Sequence, residues 1–396
     1  MGDAFLSALA EEHGTPLFVY DGASMRARAR AVIEAFEGEL SVHYATKANA
    51  HPDVLDALRG VVAGVDVTSL GAMRLALGMG YSDDAVQFTA PGKSREDLRA
   101  AADARVTIVV GCVQEGADLA AVVREADRAP GGVPVLVRIN PAETIQAFRS
   151  ATGGVSPFGI PEEEASAALA ELRALGLRPK GLHVHRGSQC TSASAYVRHV
   201  TSTLDLAERL WSSEGEGPHV NFGGGLGVAS SGEALDLASL GRRAAKALRR
   251  FRAAVPGATF AIEPGRYLVS EAGSLVLRVL RRRKVRGTTF LVLDGGIDVF
   301  LYACERIRHG APPPIRVLGQ RSEAQPKPVT LVGPACTAED TLTTDLPLAA
   351  APGDLLVVEH AGAYAAHMSI RGFLGREEAR EVVAYGAPCN PGVTPV

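Results

Sequence analysis

The stretch Leu40-Ser41-Val42-His43-Tyr44-Ala45-Thr46-Lys47-Ala48-Asn49 decides how this chain is read, and it runs on into Ala50-His51-Pro52-Asp53. A run with β character hands one lysine into a small, polar turn, and the proline marks a helix start near residues 51–53. Alone, a lysine after a strand is a solvated surface charge. Seven more apolar, β-branched runs follow near 63–68, 85–90, 105–110, 133–139, 179–185, 218–222 and 258–263, and the gaps carry Ala, Leu and Val at helical spacing. Continuous Val/Ile/Leu runs between helices predict a parallel sheet covered by helices. Eight such units in about 230 residues fit a closed (β/α)8 barrel of the TIM type better than an open doubly wound sheet.

Beyond Gly265 the texture changes. Strands are expected at 276–280, 289–293, 329–332 and 354–358, with glycine and proline turns and few helices between them. Pro312-Pro313-Pro314 and the polar stretch from Gln320 to Pro328 read as loops. At the other end, Thr15–Tyr20 reads as a short strand ahead of a helix over Ala23–Glu37. The expected organisation is a barrel over 25–265 and a mainly β domain formed by 1–24 with 266–396.

Composition narrows the function classes. A formal net charge of −3 over 396 residues offers no footprint for nucleic acid or an acidic membrane surface. The first residues lack a basic start followed by an apolar core, and no apolar run reaches membrane-spanning length, so a soluble, cytoplasmic protein is expected. Cys112, Cys190, Cys304, Cys336 and Cys389 are odd in number, widely spaced and without a CxxC pair, which argues against a disulfide framework or a metal site.

In such a barrel the carboxyl ends of the strands form the active site. Lys47 ends the first strand, Asp66 the second, Arg138-Ile139-Asn140 the fifth and His183-Val184-His185-Arg186-Gly187-Ser188 the sixth. Gly223-Gly224-Gly225 ends the seventh and Glu263-Pro264-Gly265-Arg266 the eighth. A triple glycine at strand seven is expected to bare its N–H groups to a phosphate, with the following helix adding its positive end. A phosphorylated ligand beside an amine suggests an aldehyde cofactor, because a lysine forms a Schiff base with a carbonyl. Pyridoxal 5′-phosphate (PLP) fits, with Glu263 against the pyridinium nitrogen, His185 against the ring face and Ser188 supplying a hydroxyl.

Six motifs carry a resemblance: Tyr44-Ala45-x-Lys47-Ala48-Asn49, His183-x-His185-x-Gly187-Ser188-Gln189, Gly223-Gly224-Gly225, Glu263-Pro264-Gly265-Arg266-Tyr267, Gly333-Pro334-x-Cys336 and Gly362-Ala363-Tyr364. Together, in this order, the chain resembles the fold-type III PLP-dependent decarboxylases, the diaminopimelate and ornithine decarboxylase family. The resemblance implies that Lys47 is the Schiff-base lysine and His185 the ring-stacking residue. It implies that Gly223 to Gly225, Arg266 and Tyr364 anchor the phosphate and the substrate's anionic groups, that Glu263 pairs with the ring nitrogen, and that Asp66 lies near the cofactor. It further implies that Cys336 returns a proton after carbon dioxide leaves, from a loop reaching the other subunit of a head-to-tail homodimer.

Where the family holds the distal end of its substrate, this chain departs. Thr337 follows the cysteine in place of an acid, with Glu339 and Asp340 further on, and the segment Asp294 to Tyr302 lacks the Arg-Pro of diaminopimelate decarboxylases. Arg186, Pro157 and Ala72 also replace common family residues. Thr337, Tyr302, Arg266 and Tyr364 are therefore the expected substrate contacts. The reading is decarboxylation of an amino acid or amino-acid derivative other than diaminopimelate, in a specialised pathway. Alternatives are a diaminopimelate decarboxylase proper, an amino-acid racemase, disfavoured because Ala50-His51-Pro52-Asp53 follows the lysine motif, and a catalytically silent regulatory relative.

Overall fold

The computed structural model describes residues 1–149, 152–211, 217–229, 234–308, 311–319 and 325–385; Cys389 and the stretch 320–324 lie outside them. The chain divides into two units: Ala27–Ala229 with Glu233–Tyr267, and Met1–Arg26 with Leu268–Val396.

The chain opens with α1 (Asp3–His13), β1 (Leu17–Asp21) and α2 (Gly22–Ala35). The barrel then alternates β2 (Ser41–Ala45), α3 (Pro52–Leu58), β3 (Gly64–Val67), α4 (Leu70–Gly78), β4 (Val86–Thr89), α5 (Arg95–Asp103), β5 (Thr107–Val110), α6 (Val113–Glu125) and β6 (Val135–Asn140). It continues with the two-residue β7 (Ile160–Pro161), α7 (Ala165–Ala174), β8 (Pro179–His183), α8 (Ala193–Trp211), β9 (His219–Asn221), α9 (Leu237–Ala254) and β10 (Thr259–Ile262). The order β5-β4-β3-β2-β10-β9-β8-β6 closes through a β5–β6 pairing, and all eight pairings are parallel. This is the expected (β/α)8 barrel.

Local sequence explains the rhythm. β3 and β4 are buried at every position because helices cover the outside and packed side chains fill the inside. Side-chain caps start several of the helices: Ser69 Oγ accepts the Ala72 N–H at 3.1 Å, and Ser94 with Asp97 forms a reciprocal capping box.

The second unit is built on a sheet of β11 (Gly273–Val285), β12 (Thr288–Leu293), β13 (Ile315–Val317), β14 (Lys327–Val332), β15 (Thr341–Leu348), β16 (Leu355–Val358) and β17 (Arg380–Ala384), preceded by the short α10 (Arg266–Val269). β1 joins it, antiparallel to β11 and parallel to β17, and Leu6, Leu17, Val19, Val276 and Val357 share a core. Three strands here were not expected: β13, β15 and β17. β15 (TLTTDLPL) carries a proline and a surface aspartate, and β17 exists only through its pairing with β1. The expected loop over Gln320 to Pro328 is shorter, since Lys327 and Pro328 already belong to β14. Among the described residues no helix is long and apolar enough to cross a membrane.

One buried ion pair ties the barrel's early turns together. Lys93, its side chain wholly enclosed, lies 2.6 Å from Glu115 Oε1 and donates to the carbonyls of Ala90 and Val109 at 2.7 and 2.8 Å. Glu115 Oε2 accepts the Gly111 N–H at 2.6 Å. Removing one member leaves the other charged and unpaired, so Lys93→Met is expected to cost roughly 3–5 kcal/mol in denaturant unfolding, and adding Glu115→Gln is expected to recover part of it.

Candidate active site

β2 and β10 are neighbours, with Val42 beside Ile262. Lys47 and Glu263, which follow them, therefore emerge from adjacent strands on one rim. Lys47 sits in a single 3-10 turn, Thr46–Ala48, between buried neighbours while its own side chain is exposed. Thr46 Oγ1 donates to the Asp66 carbonyl at 3.0 Å and fastens this turn to β3. Lys47 makes no ion pair among the described residues, yet its positive charge acts on Asp66, His185 and Glu263.

Glu263 is buried and held from three strands. Oε1 accepts from the amides of Gln87, on β4, and Asn221, on β9, the latter at 2.8 Å, and His183 Nε2, at the end of β8, lies 3.1 Å from Oε2. Burial pushes the carboxyl up, but the charge and hydrogen bond of His183, with the charge of Lys47 behind them, outweigh it and hold Glu263 well below the usual carboxylate range. Asp66 is the opposite case. Its Oδ1 receives only a 3.4 Å contact from Gln87, and its Oδ2 is buried without a partner. Burial and the neighbouring charge of Glu263 push Asp66 up to about 7.

Asn221 also joins this network to the glycine turn. Its Nδ2 reaches Gln87 Oε1 at 3.0 Å, and its Oδ1 accepts the Gly223 N–H at 2.8 Å. Gly223 and Gly225 have φ of +63° and +108°, and a Cβ on Gly223 would come within 2.8 Å of His185. The Gly224 N–H donates to His185 Nδ1 at 3.1 Å, so the imidazole is fixed in place and unprotonated at that nitrogen. Burial, then the charge of Lys47, holds His185 well below its ordinary pKa, leaving a neutral ring face at the rim.

The expected row of bare amides is thus shorter and shifted. Gly223 and Gly224 N–H are used internally, while those of Gly225 and Leu226 have no protein acceptor among the described residues. Nor does a helix follow directly. α9 begins at Leu237, capped by Asp236, so its positive end is not part of the turn.

The other expected residues fall as follows. Ser188 exchanges main-chain hydrogen bonds with Arg149 at 2.7 and 2.8 Å, which leaves its hydroxyl unengaged among the described residues. Arg266 opens α10, partly buried. Cys336, Thr337, Tyr302 and Tyr364 belong to the β-rich unit, where Cys336 is exposed. Arg186 is buried: its guanidinium bonds His199 Nδ1 at 3.2 Å, Ser202 Oγ at 2.9 Å and the Glu143 carbonyl, so it pins α8 to the loop after β6. Sequence reasoning missed Gln87, Asn221 and the role of His183, and gave no task to Arg138. That guanidinium lies 4.8 Å from the Phe158 ring without a hydrogen bond or ion pair among the described residues. Their only signal was position at strand ends.

These groups fit PLP. An accessible amine, a buried carboxylate kept ionised and two unengaged turn amides match an aldehyde, a ring nitrogen and a phosphate, and the Cβ-free Gly223 keeps the turn close to His185. Among the described residues no group of His, Cys, Asp and Glu is arranged to hold a metal ion.

The two carboxyls carry opposite pH signatures. Asp66 binds its proton more tightly folded than unfolded, so between pH ~4 and its folded value of about 7 stability falls as pH rises. Glu263 is lowered, so its contribution is present above ~4.5 and lost only in acid. In cofactor-free protein, Tm is expected to fall from pH 5 to 8 more steeply in the wild type than in Asp66→Asn; parallel curves would contradict the raised Asp66.

Residues 22–270 match the model of the pyridoxal-dependent decarboxylase pyridoxal-binding domain. Diaminopimelate decarboxylase of Pseudomonas aeruginosa is 33% identical, covering 96% of this chain and 90% of that protein. The L-glutamyl-[BtrI acyl-carrier protein] decarboxylase of Niallia circulans is 30% identical over 97% of this chain and 92% of its own length. The structure of Helicobacter pylori diaminopimelate decarboxylase complexed with L-lysine superposes with a TM-score of 0.86 at 26% identity, over 96% of this chain and 94% of that one. The chain belongs to the pyridoxal-dependent decarboxylases, PLP-dependent carboxy-lyases that act on amino acids.

Proposed function

We propose that the substrate is an α-amino acid whose distal end is tied up in a neutral covalent linkage, an amide or a thioester, and is not diaminopimelate. The observation that carries this reading is the loop after Cys336. Thr337 offers no charge, and its hydroxyl accepts the Glu339 N–H at 3.3 Å. Asp340 is buried, with Oδ1 accepting Ile297 N–H at 2.6 Å and Oδ2 accepting Ala335 N–H at 2.7 Å. Glu339 lies 3.4 Å from Arg306. Each acid of this loop thus has a partner, and Asp340 is a turn former that cannot grip a distal ammonium. The Niallia circulans relative acts on an L-glutamyl group carried by an acyl-carrier protein. For a glutamyl substrate of this chain the α-carboxylate is the group removed, so the linkage has to sit on the side-chain carboxyl.

Lys47 would hold the cofactor through its amine, Glu263 would face its ring nitrogen and His185 its ring, while the turn at Gly223 to Gly225, Ser188, Arg266 and Tyr364 would hold its phosphate side. When bound, PLP supplies an aldehyde that captures the substrate's amine and a ring that takes up the electron pair left as carbon dioxide departs. The ionised Glu263 keeps a proton at the ring nitrogen. The Cys336 thiol delivers the proton that replaces the carboxylate at Cα and is reprotonated from solvent, so one C–C bond breaks and one C–H bond forms. Asn221 and Gln87 act through Glu263 as positioning residues.

Cys336 works on a second copy's barrel in this reading. Supporting it, Tyr302, Met368, Ile370 and Leu374 of the β-rich unit expose 38, 40, 41 and 59% of their surface, apolar area that a head-to-tail homodimer would cover. The free thiols Cys112, Cys190, Cys304 and Cys336 suit a reducing cytoplasm.

Carbon dioxide release from meso-diaminopimelate, ornithine, lysine and the γ-thioester and γ-amide of glutamate tests the substrate. The linked glutamates are expected to lead by on the order of 100-fold in kcat/KM; efficient meso-diaminopimelate turnover overturns the reading. Mixing inactive Lys47→Ala with inactive Cys336→Ala is expected to restore about a quarter of wild-type activity if sites are shared between two subunits, and none if each chain is self-sufficient.

A further inference from the structure

The second half of β11 is unlike any other strand here. Leu280-Arg281-Arg282-Arg283-Lys284-Val285-Arg286-Gly287-Thr288 are nine consecutive exposed residues, although the strand pairs with β12 from Arg281–Val292 to Val285–Thr288. β16 pairs with β11 only over Leu275 to Arg278, so beyond that point β11 is an edge strand, joined through β12 to β14, and its outer half with the turn into β12 forms a charged ribbon whose residues 280–288 stand in solvent. Five of six positions from 281 to 286 are cationic in a chain whose net charge is −3.

No acid answers them. Among the described residues the five form no ion pair; Arg281 and Arg282 reach only the carbonyls of Leu280 and Ala350, and Arg283, Lys284 and Arg286 have no side-chain hydrogen bond. One or two charges suffice to blunt a free strand edge. Five together, with Leu280 and Val285 exposing 37 and 44% between them, make a surface with cationic and apolar character. Nucleic acid is the poorer match, because the ribbon has no exposed aromatic ring for base stacking and the molecule as a whole is anionic.

We propose that this ribbon docks an acidic carrier protein that delivers the amino acid as a thioester of its side-chain carboxyl. The inference rests on the reading above that the substrate's distal end is covalently linked, and adds where the carrier is recognised. Opposite charge would steer the encounter and make it sensitive to salt, while the flexible thioester arm would separate docking from chemistry.

The test compares two substrates on the holoenzyme: glutamate γ-linked to the phosphopantetheine thiol of an acidic acyl carrier protein, and the same γ-thioester on free pantetheine. Wild type is set against Arg281→Gln/Arg283→Gln/Lys284→Gln/Arg286→Gln, with cofactor absorbance confirming a folded site. For the carrier-bound substrate at low salt, kcat/KM is expected to fall on the order of tenfold or more in the variant, the gap closing as salt is raised. The free pantetheine thioester should be turned over equally by both proteins. Equal loss on both substrates, or no loss on the carrier, overturns the docking site. So does wild-type turnover of the pantetheine thioester without the carrier-bound one. A ribbon-dependent affinity for a 20-nucleotide DNA at physiological salt, without the carrier effect, overturns it in favour of nucleic acid. If wild type turns over neither thioester, the docking site is overturned, and failure on the γ-amide of glutamate as well overturns the linked-substrate reading itself.

Discussion

The site depends on one ion being kept an ion. A carboxylate taken out of water is costly unless donors and opposite charge surround it, and Glu263 finds three partners on β4, β8 and β9 while itself following β10. No local segment can supply that set, so the closed barrel is a precondition of the charge. Asp66, one strand over from Lys47, shows what the same interior does to a carboxyl with a single weak contact: it is pushed toward its neutral form. Two acids of nearly equal intrinsic strength are thereby pushed in opposite directions, which is how a fold assigns different tasks to similar side chains.

Around this ion the rim is stiffened by main-chain and buried side-chain bonds. The loop after β6 is stitched to the segment after β8 through Arg149–Ser188 and Thr152–Arg186, and Arg186 clamps it to α8 from below. Among the described residues this buried guanidinium has no carboxylate partner, an unusual tether, but it supplies donors in three directions, which a neutral residue cannot. His185 gains its orientation from the next strand's glycine turn, so ring placement and turn conformation are set together.

Of the expected substrate contacts, Thr337, Tyr302 and Tyr364 lie in the β-rich unit and Arg266 in the barrel unit, and in the loop after Cys336 Asp340, Thr337 and Glu339 are spent on the loop itself or on Arg306. A chain can therefore keep the barrel rim unchanged and alter what it accepts by re-using a few loop acids structurally. The basic ribbon of β11 belongs to the β-rich unit and is likewise open to change, since residues 280–288 are all exposed.

How much of this was legible depended on whether the information was local. Eight buried runs separated by amphipathic helices announce a barrel, because each run's apolar continuity reports burial on both faces. Lys47, Asp66, His185, Gly223 to Gly225 and Glu263 could be placed on one rim from strand order alone. The strands β15 and β17 were hidden, because a polar, proline-bearing strand and a terminal strand paired with β1 show no pattern of their own. The sequence by itself thus determined the fold class and which residues share the rim. Only the tertiary structure decided that Gln87, Asn221 and His183 converge on Glu263, that Asp66 and Glu263 are shifted in opposite directions, that Arg186 is spent on α8 and the loop after β6, and that Asp340 is a turn former. Those outcomes rest on contacts between residues up to 176 positions apart, which spacing along a chain does not encode.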